Sequence, residues 1–424
     1  MRIYLLFLLL FIFSCKKKEN ALPKIVFTSP AEGRNFYCGD TVHVEADISD
    51  DNNLASATLK LLSAGYAPVD HQESFSINAS SYHVSFDYVI ENNYLATGNY
   101  FITLFTTDGE NDENEYRNIF IHEIPRTVKQ VYAVTEPNSS SVNLNSVDAW
   151  NNLVFRASVS GDYSGSAIDS RNNELVTSGN TTGSVNGIDL SNYTSRFSIP
   201  NYNAGLPSFL YVTCAHDLFF VSYFDGRIRA FDKEGHAQFN SVQQGAYQPG
   251  ALCVNDKYVF AEAYYQGSGD NRLVVINYPS GQARQEYNTE FDISSLMSRG
   301  DNDIIIFGNK NGDGKIYFYH VISNSINDFH TLFGNTIYSA IAIDDDNYAL
   351  ATANGLYSYQ ESNNNLVPVD LSQRVYSLAY DDVNGILYAN GGRKIKEYAF
   401  PGRNFLNSVN SADSVVDVRV LYNK

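Results

Sequence analysis

The chain has 424 residues, a formal net charge of −18 and an aromatic content of 14%. Its length is enough for two or three domains. Because nucleic-acid phosphates attract Lys and Arg, so acidic a composition argues against nucleic acid as a partner.

The first residues have the composition of a secretory signal. Arg2 supplies a positive charge, and residues 3–14 are almost wholly apolar. A membrane-spanning helix needs about 20 apolar residues, so this shorter run fits the apolar core of a signal peptide instead. It ends in "IFSC", which resembles a bacterial lipobox. The resemblance implies a lipoprotein signal peptide of residues 1–14, cleavage before Cys15, a diacylglycerol on the Cys15 thiol, and acylation of the new amine, for example with palmitate.

Residues 15–23 are interpreted as a tether between the lipid and the first domain. Three lysines and Glu19 follow Cys15, a cluster similar to the surface-export signal of some Gram-negative lipoproteins; a solvated linker is the alternative. Several acyl chains on one residue would hold the protein stably on a membrane. We therefore expect an outer membrane lipoprotein of the cell envelope, periplasmic or surface-exposed, with the membrane as a partner through Cys15. An ordinary signal peptide with a stray cysteine is the alternative.

Helical periodicity is almost absent, and short alternating runs such as "TVHVEADI" and "KIYFYHV" recur between turn residues, which is typical of an all-β protein. Residues 24–125 show about seven short strands, as a β-sandwich requires. The spacing of "P…G…GD" and "TGNY…TDG" resembles bacterial immunoglobulin-like modules of surface lipoproteins. This segment contains only Cys38, so it lacks the cysteine pair of antibody domains.

Residues 126–424 contain an internal repeat with a period of about 40 residues and four strands in each unit, the pattern of a β-propeller blade. Six units share an apolar strand, an Asp/Asn turn and a second apolar strand: "AIDSRNNELVTSG", "CAHDLFFVSYFDG", "CVNDKYVFAEAYY", "MSRGDNDIIIFGN", "AIDDDNYALATANG" and "AYDDVNGILYANGG".

The remaining segments predict a seventh blade. Three strands precede the six units, and "SVVDVRVLYNK" follows them. The last strand would complete the first blade at its innermost position and leave no open edge in the ring. Residues 126–424 thus resemble the seven-bladed propellers of the YVTN-like and quinoprotein-like groups. Trp150 is the single tryptophan, so the tryptophan–aspartate repeat signature and tryptophan docking between blades are missing.

The loops that precede each inner strand and the turns between second and third strands should surround one mouth of the channel. Tyr and Arg are favoured at binding hot spots, so this mouth is the predicted ligand or partner face. Its candidate residues are Tyr163, Tyr202, Tyr247, Tyr264, Tyr265, Phe333 and Arg393.

At the opposite mouth, one Asp follows each inner strand. A ring of carboxylates could hold a cation, although Asp is also the usual residue of such turns. The six residues are Asp169, Asp217, Asp256, Asp301, Asp345 and Asp382.

No metal site or cofactor is predicted. "NKNGDGK" partly matches a calcium loop through Asn309, Asn311 and Asp313, but a tight turn explains the same residues. Cys214 and Cys253 hold the same position in neighbouring blades and should not face each other, so we expect core thiols rather than a disulfide. His and Ser motifs of common hydrolases are absent from the sequence.

These observations favour a lipid-anchored, non-catalytic binding or scaffolding module that uses its propeller face to engage an envelope protein or a glycan. Two alternatives remain open: a propeller-type hydrolase or lyase acting at the channel mouth, and a glycan-binding surface lipoprotein. Tyr rings can stack on sugars.

Overall fold

The computed structural model describes residues 21–202, 205–265 and 269–424. Cys15, the lipobox and the three lysines lie outside these ranges, so their roles stay predictions. Every regular element in the described residues is a β-strand. In the same ranges, no helix has the length and apolar character needed to cross a membrane. The predicted all-β class is confirmed.

The chain divides into two compact units, Met1–Pro125 (with Lys424) and Arg126–Asn423. The first unit forms one six-stranded sheet in which β1, β3, β5, β6 and β2 follow one another and β4 pairs with β3. The strands are β1 (Lys24–Ser29), β2 (Arg34–Tyr37), β3 (Thr41–Ser63), β4 (Pro68–Val89), β5 (Gly98–Thr107) and β6 (Asp112–His122).

Two strands of this unit are much longer than the sequence pattern predicted. β3 has 23 residues and β4 has 22, so the unit contains six strands among the described residues instead of about seven short ones. Asp50 and Asp51 are residue types common in turns, but the chain stays extended there because β3 pairs with β4 on both sides of a register shift between Ser49 and Leu54. Such an irregularity bends a strand without ending it.

One hydrophobic core lies inside the first unit. It contains fully buried side chains of β3, β5 and β6, including Val42, Leu59, Ile102 and Ile119, together with the free thiol of Cys38. The alternation of buried and exposed residues along β3 explains why this strand forms, since side chains two residues apart share a face. The likeness of this unit to immunoglobulin-like modules remains a prediction.

The described residues of the second unit form seven four-stranded antiparallel sheets. The first three blades are built in chain order. Blade 1 contains β10 (Gly165–Asp169), β11 (Glu174–Ser178), β12 (Val185–Asp189) and β13 (Ser195–Ile199). Blade 2 contains β14 (Phe209–Ala215), β15 (Leu218–Tyr223), β16 (Ile228–Phe231) and β17 (Ala237–Asn240). Blade 3 contains β18 (Gln248–Val254), β19 (Tyr258–Tyr264), β20 (Asn271–Asn277) and β21 (Ala283–Thr289).

The next three blades repeat this order. Blade 4 contains β22 (Asp292–Ser298), β23 (Asp303–Lys310), β24 (Asp313–His320) and β25 (Ser325–Leu332). Blade 5 contains β26 (Ile337–Ala342), β27 (Asn347–Thr352), β28 (Gly355–Gln360) and β29 (Asn365–Asp370). Blade 6 contains β30 (Ser377–Asp381), β31 (Ile386–Asn390), β32 (Lys394–Ala399) and β33 (Asn404–Asn410).

Blade 7 joins the two ends of the second unit. Its innermost strand is β34 (Ser414–Tyr422), which pairs with β7 (Val128–Asn138), followed by β8 (Ser141–Val147) and β9 (Leu153–Ser160). β34 packs against the inner strands of blades 6 and 1, so the ring closes. The seven-bladed propeller and its closure by the C-terminal strand are confirmed.

Apolar second strands hold neighbouring blades together. Phe220, Phe260, Phe307, Leu350 and Leu387 are fully buried and belong to the second strands of successive blades. These strands are covered on both faces by other blades, which is why they read as continuous apolar runs. The packing fixes the inner strands around the channel.

Candidate functional site

The inner strands all start at the same end of the channel, which defines two rims. The upper rim contains the segments that precede the inner strands and the turns between second and third strands. The lower rim contains the turns between first and second strands. The predicted ligand face corresponds to the upper rim, and the Asp set corresponds to the lower rim.

Bulges shape the upper rim. The inner strands of blades 4, 5 and 7 each shift register near their starts, between Ile293 and Ser295, Ile337 and Ser339, and Val415 and Asp417. A bulge leaves one residue unpaired and redirects the side chains beside it. The residues skipped in the pairing, Ser294, Tyr338 and Val416, all line the channel.

The channel holds a cavity of about 340 Å³ below the upper rim. Small hydroxyl side chains and tyrosines dominate its wall. Inner strands or the segments leading into them supply Tyr163, Ser166, Tyr211, Ser294, Ser295, Tyr338, Ser339, Tyr376 and Ser377. Its charged lining residues are Asp417 and Arg419, both from β34.

Asp417 and Arg419 form an ion pair inside the channel. Arg419 Nη2 lies 2.5 Å from Asp417 Oδ2. The same oxygen accepts hydrogen bonds from the Tyr163 hydroxyl at 2.9 Å and the Ser166 hydroxyl at 2.8 Å. Burial, followed by the charge of Asp417, raises the pKa of Tyr163 well above its usual value, so this hydroxyl stays protonated and donates.

A second cavity, of about 610 Å³, opens beside the channel on the upper rim. Tyr163, Tyr376, Arg393 and Glu136 contribute to its wall. Burial raises the pKa of Glu136. An acidic and a basic side chain beside two phenol rings are suited to fixing the orientation of a polar ligand.

Stacked side chains continue this surface towards blade 5. The rings of Tyr338 and Tyr376 stack with centroids 5.7 Å apart and planes at 27°. The Arg374 guanidinium lies 5.9 Å from the centre of one ring and 6.0 Å from the other. Tyr376 is 44% exposed, so a ligand can reach it.

The structure brings together only some of the predicted face residues. Tyr163 and Arg393 line one cavity. Tyr247 and Tyr265 form a separate pair with centroids 5.7 Å apart, and Arg272 covers Tyr247 at 4.1 Å. The other three contribute no side chain to the channel cavity: Tyr264 is half-buried at the end of β19, whereas Tyr202 and Phe333 are strongly exposed.

Sequence reasoning missed the residues that add most to this site. Tyr211, Tyr338, Arg374, Tyr376, Asp417 and Arg419 were not among the candidates. One signal was available, because "SVVDVRVLY" places two charged residues in a strand that should otherwise be apolar. The bulges left no comparable signal.

At the lower rim, several of the predicted carboxylates form ion pairs. Arg171 lies 2.6 Å from Asp217, Lys257 lies 2.6 Å from Asp301, and Arg126 lies 2.7 Å from Asp382. The first two pairs join turns of neighbouring blades, and the third joins the segment before β7 of blade 7 to the β30–β31 turn of blade 6. Asp169 instead accepts the backbone N–H groups of its own turn, as usual for Asp in such turns.

The calcium-loop candidates have structural partners. Asn309 Nδ2 donates to the carbonyl of Ile337, and Asn309 Oδ1 accepts its N–H, which ties blade 4 to blade 5. Asn311 lies in a tight turn with a φ of 55°, and Asp313 accepts the N–H of Gly334 at 2.6 Å. These contacts agree with the turn interpretation.

Two other groups of side chains bring potential metal ligands within 4.8 Å of one another: Asp70, His71 and Glu91, and Asp232, Glu234 and His236. Asp70 Oδ2 accepts the N–H of Glu91, and Asp232 Oδ1 accepts those of Glu234 and His236. Both groups therefore also order local backbone.

Cys214 and Cys253 are free and belong to inner strands. Cys214 lines a lower cavity of about 230 Å³, which meets the channel cavity at Ser166, Tyr211 and Arg419. Burial raises the pKa of both thiols, that of Cys253 to about 11. Low thiolate content makes them poor nucleophiles.

No protein-family model and no curated protein sequence matches the chain. Among similar solved structures, the computationally designed Ika8 protein has a TM-score of 0.47 and 12% identity over 67% of this chain and 86% of its own. Hydrazine synthase of Kuenenia stuttgartiensis has a TM-score of 0.49 and 9% identity, over 59% of this chain and 86% of its own. The β-propeller domain of Cps50 (Swd1) from Myceliophteria thermophila has a TM-score of 0.46 and 11% identity, over 63% of this chain and 96% of its own. Function is therefore inferred below from the residues of this chain.

Proposed function

We propose that this chain is a lipid-anchored protein of the bacterial cell envelope and acts as a non-catalytic binding or scaffolding module. Its partner, an envelope protein or a glycan, binds at the upper rim of the propeller. The observation that carries this proposal is the pair of cavities of about 340 and 610 Å³, which share Tyr163, Tyr376 and Val416. Volumes of about 300–1,000 Å³ are usual for ligand sites.

The distribution of charge favours the upper rim over the lower one. At the lower rim, Asp217, Asp301 and Asp382 are paired with bases of neighbouring blades. At the upper rim, Arg374 and Arg393 are exposed beside tyrosine rings. Exposed Tyr and Arg are the residues that most often contribute large binding free energies.

Support for the anchor comes from the sequence. The "IFSC" stretch and the lysines after Cys15 favour lipidation and a place in the outer membrane. Labelling of wild-type cells with radioactive palmitate, compared with Cys15→Ala, tests this part separately. A labelled Cys15→Ala protein would contradict it.

The binding surface is tested by site-specific photo-crosslinking in intact cells. A photoreactive phenylalanine analogue replaces Tyr376 at the upper rim. In a matched control it replaces Asp256 at the lower rim, whose side chain is 85% exposed. We expect a discrete adduct from position 376 that disappears when Arg393→Glu is added.

Adducts from both positions with equal yield, or from position 256 alone, would contradict the assignment of the upper rim. Adding Cys15→Ala to the protein with the photoreactive analogue at position 376 shows whether the partner binds only when the protein is anchored to the membrane. Identification of the crosslinked species by mass spectrometry distinguishes a protein from a glycan.

A further inference from the structure

The channel cavity contains a guanidinium group with unused hydrogen-bonding capacity. Arg419 donates through Nη2 to the carbonyl of Ser166 at 2.6 Å and through Nε to the Ser166 hydroxyl at 3.3 Å. Among the described residues, Nη1 has no hydrogen-bond partner. About 30% of the side chain is exposed, and it borders both the 340 and the 230 Å³ cavities. The free side of the guanidinium therefore faces the channel.

Asp417 cannot serve as the recognition group of this cavity. Its side chain is 8% exposed, Oδ2 already accepts two hydrogen bonds and contacts the Arg419 guanidinium, and Oδ1 accepts the N–H of Val418 at 2.9 Å. The carboxylate instead fixes the position of Arg419, as a buried partner does for a charged donor. Of this ion pair, only Arg419 therefore offers the channel a free hydrogen-bonding group, and that group is a donor.

Tyr211, on β14 of blade 2, adds a second available donor. It borders the same two cavities as Arg419, and its hydroxyl has no hydrogen bond to a described residue. Burial raises its pKa, so the hydroxyl keeps its proton. The same wall carries the hydroxyls of Ser295, which accepts the Ala340 N–H, and of Ser339. The hydroxyls of Ser166, Ser294 and Ser377 already have protein partners.

We infer that the channel binds a small hydroxylated carboxylic acid of hexuronic-acid size, with its carboxylate on Arg419 Nη1 and the Tyr211 hydroxyl. A planar guanidinium matches a carboxylate, and a single partly neutralised cation suits one negative charge better than the two of a phosphate monoester. Serine hydroxyls, which both donate and accept, suit the hydroxyl groups of the same ligand. The inference rests on the proposed function, because it names the chemistry of the ligand that enters the upper rim.

Titration calorimetry of the purified protein with D-glucuronate tests the inference. D-glucose is the matched probe, since it has the same ring without the carboxylate. We expect glucuronate to bind at least about tenfold more tightly than glucose, because a hydrogen bond to a charged group adds that much affinity. Equal affinity for the two sugars, or no binding of glucuronate, overturns the inference.

Two variants locate the ligand. Tyr211→Phe removes one hydroxyl that has no protein partner, so it should keep the fold and weaken glucuronate binding about tenfold. The double variant Arg419→Gln with Asp417→Asn removes both charges together and should abolish the preference over glucose. Tyr287→Phe, on the outer strand β21 and outside both cavities, is the control and should leave the affinity unchanged. An unchanged affinity in Tyr211→Phe overturns the inference.

Failure of this inference and failure of the proposed function have different signatures. If the photo-crosslink at position 376 persists while glucuronate does not bind, the upper rim binds a partner that places no carboxylate in the channel. If neither is observed, both proposals are wrong.

Discussion

Replacing Glu174 with Gln should remove a large part of the pH dependence of propeller stability. Glu174 begins β11 and is fully buried. Neither carboxylate oxygen has a hydrogen-bond partner among the described residues, and the closest cation is Arg196, 3.8 Å from Oε2. Burial raises the pKa of Glu174 to about 8, although the Arg196 charge opposes this rise. The folded protein therefore keeps this carboxyl protonated at neutral pH.

The sign of the effect follows from proton linkage. The unfolded chain releases the Glu174 proton near pH 4.5, whereas the folded chain holds it until about pH 8. Between these values the folded state binds more protons, so the free energy of unfolding falls as pH rises. Raising the pKa from 4.5 to about 8 corresponds to a loss of at most about 5 kcal/mol. The stabilisation that Glu174 contributes is fully present below the lower value and is lost above the higher one.

Urea titrations followed by near-ultraviolet circular dichroism, at pH values from about 5 to about 9, measure this loss. Gln cannot ionise, so Glu174→Gln should become progressively more stable than the wild type as pH rises. Asp256→Asn, at a strongly exposed carboxylate, is the control and should change stability by less than about 0.5 kcal/mol.

A difference between Glu174→Gln and the wild type that stays the same over the whole pH range would refute the reasoning. It would show that Glu174 is ionised in the folded protein and that Arg196 stabilises the charge. Glu262→Gln provides a second comparison, since burial also raises the pKa of Glu262, to about 7, while the Ile293 N–H donates to it at 2.8 Å.

Three further predictions concern packing and the thiols. Gly187→Ala should destabilise the propeller by about 1–3 kcal/mol in calorimetry, because a Cβ would lie 2.4 Å from the Phe197 ring; an unchanged melting temperature would show that the ring moves freely. Asn309→Ala should cost about 1–3 kcal/mol, equally with calcium and with chelator, because it removes the side-chain acceptor of the buried Ile337 N–H, whereas the Ile337 carbonyl still accepts the Ser294 hydroxyl; a loss seen only with calcium would favour a metal site. In the mature lipidated protein, the thiols of Cys38, Cys214 and Cys253 should react slowly while the protein is folded. After unfolding without reductant, a thiol titration should count all three, and a lower count would reveal a disulfide.

The propeller could be predicted from the sequence because the same pattern of apolar strands and turns recurs in successive blades. Each blade needs apolar strands at the same spacing, and the recurring Asp turns mark the registers of six units. The seventh blade followed from counting, since three strands at one end and one strand at the other make a complete blade. Local periodicity was enough because each blade packs mainly against its neighbours.

The first unit was harder to predict because long-range pairing overrides local turn signals. Asp50, Asp51, Asn52 and Asn53 have the composition of a turn. In the structure they lie within β3, which continues because β4 pairs along both of its halves. A pairing partner distant in sequence supplies the backbone hydrogen bonds, so turn propensity does not decide the conformation.

Most residues of the channel site could not be predicted from the sequence, for a related reason. Bulges beside Ser294, Tyr338 and Val416 break the alternation from which inward-facing residues are read. Tyr163 was predicted as an aromatic residue of the loops around the channel mouth, but its hydroxyl is engaged with Asp417 inside the channel. The function of an inner-strand residue depends on which way a bulge turns it, and sequence alternation does not encode that direction.

Net charge alone also misdirects the search for a ligand. A total of −18 suggests cations or basic partners. Yet Asp217, Asp301 and Asp382 are occupied in joining blades at the lower rim. At the other end of the channel, Arg374 and Arg393 lie on the rim above Arg419. Exposed charges are largely screened beyond about 8 Å at physiological salt. We therefore expect a ligand in the channel to be attracted mainly by Arg419, which lines the cavity itself, and not by the net charge of the whole chain.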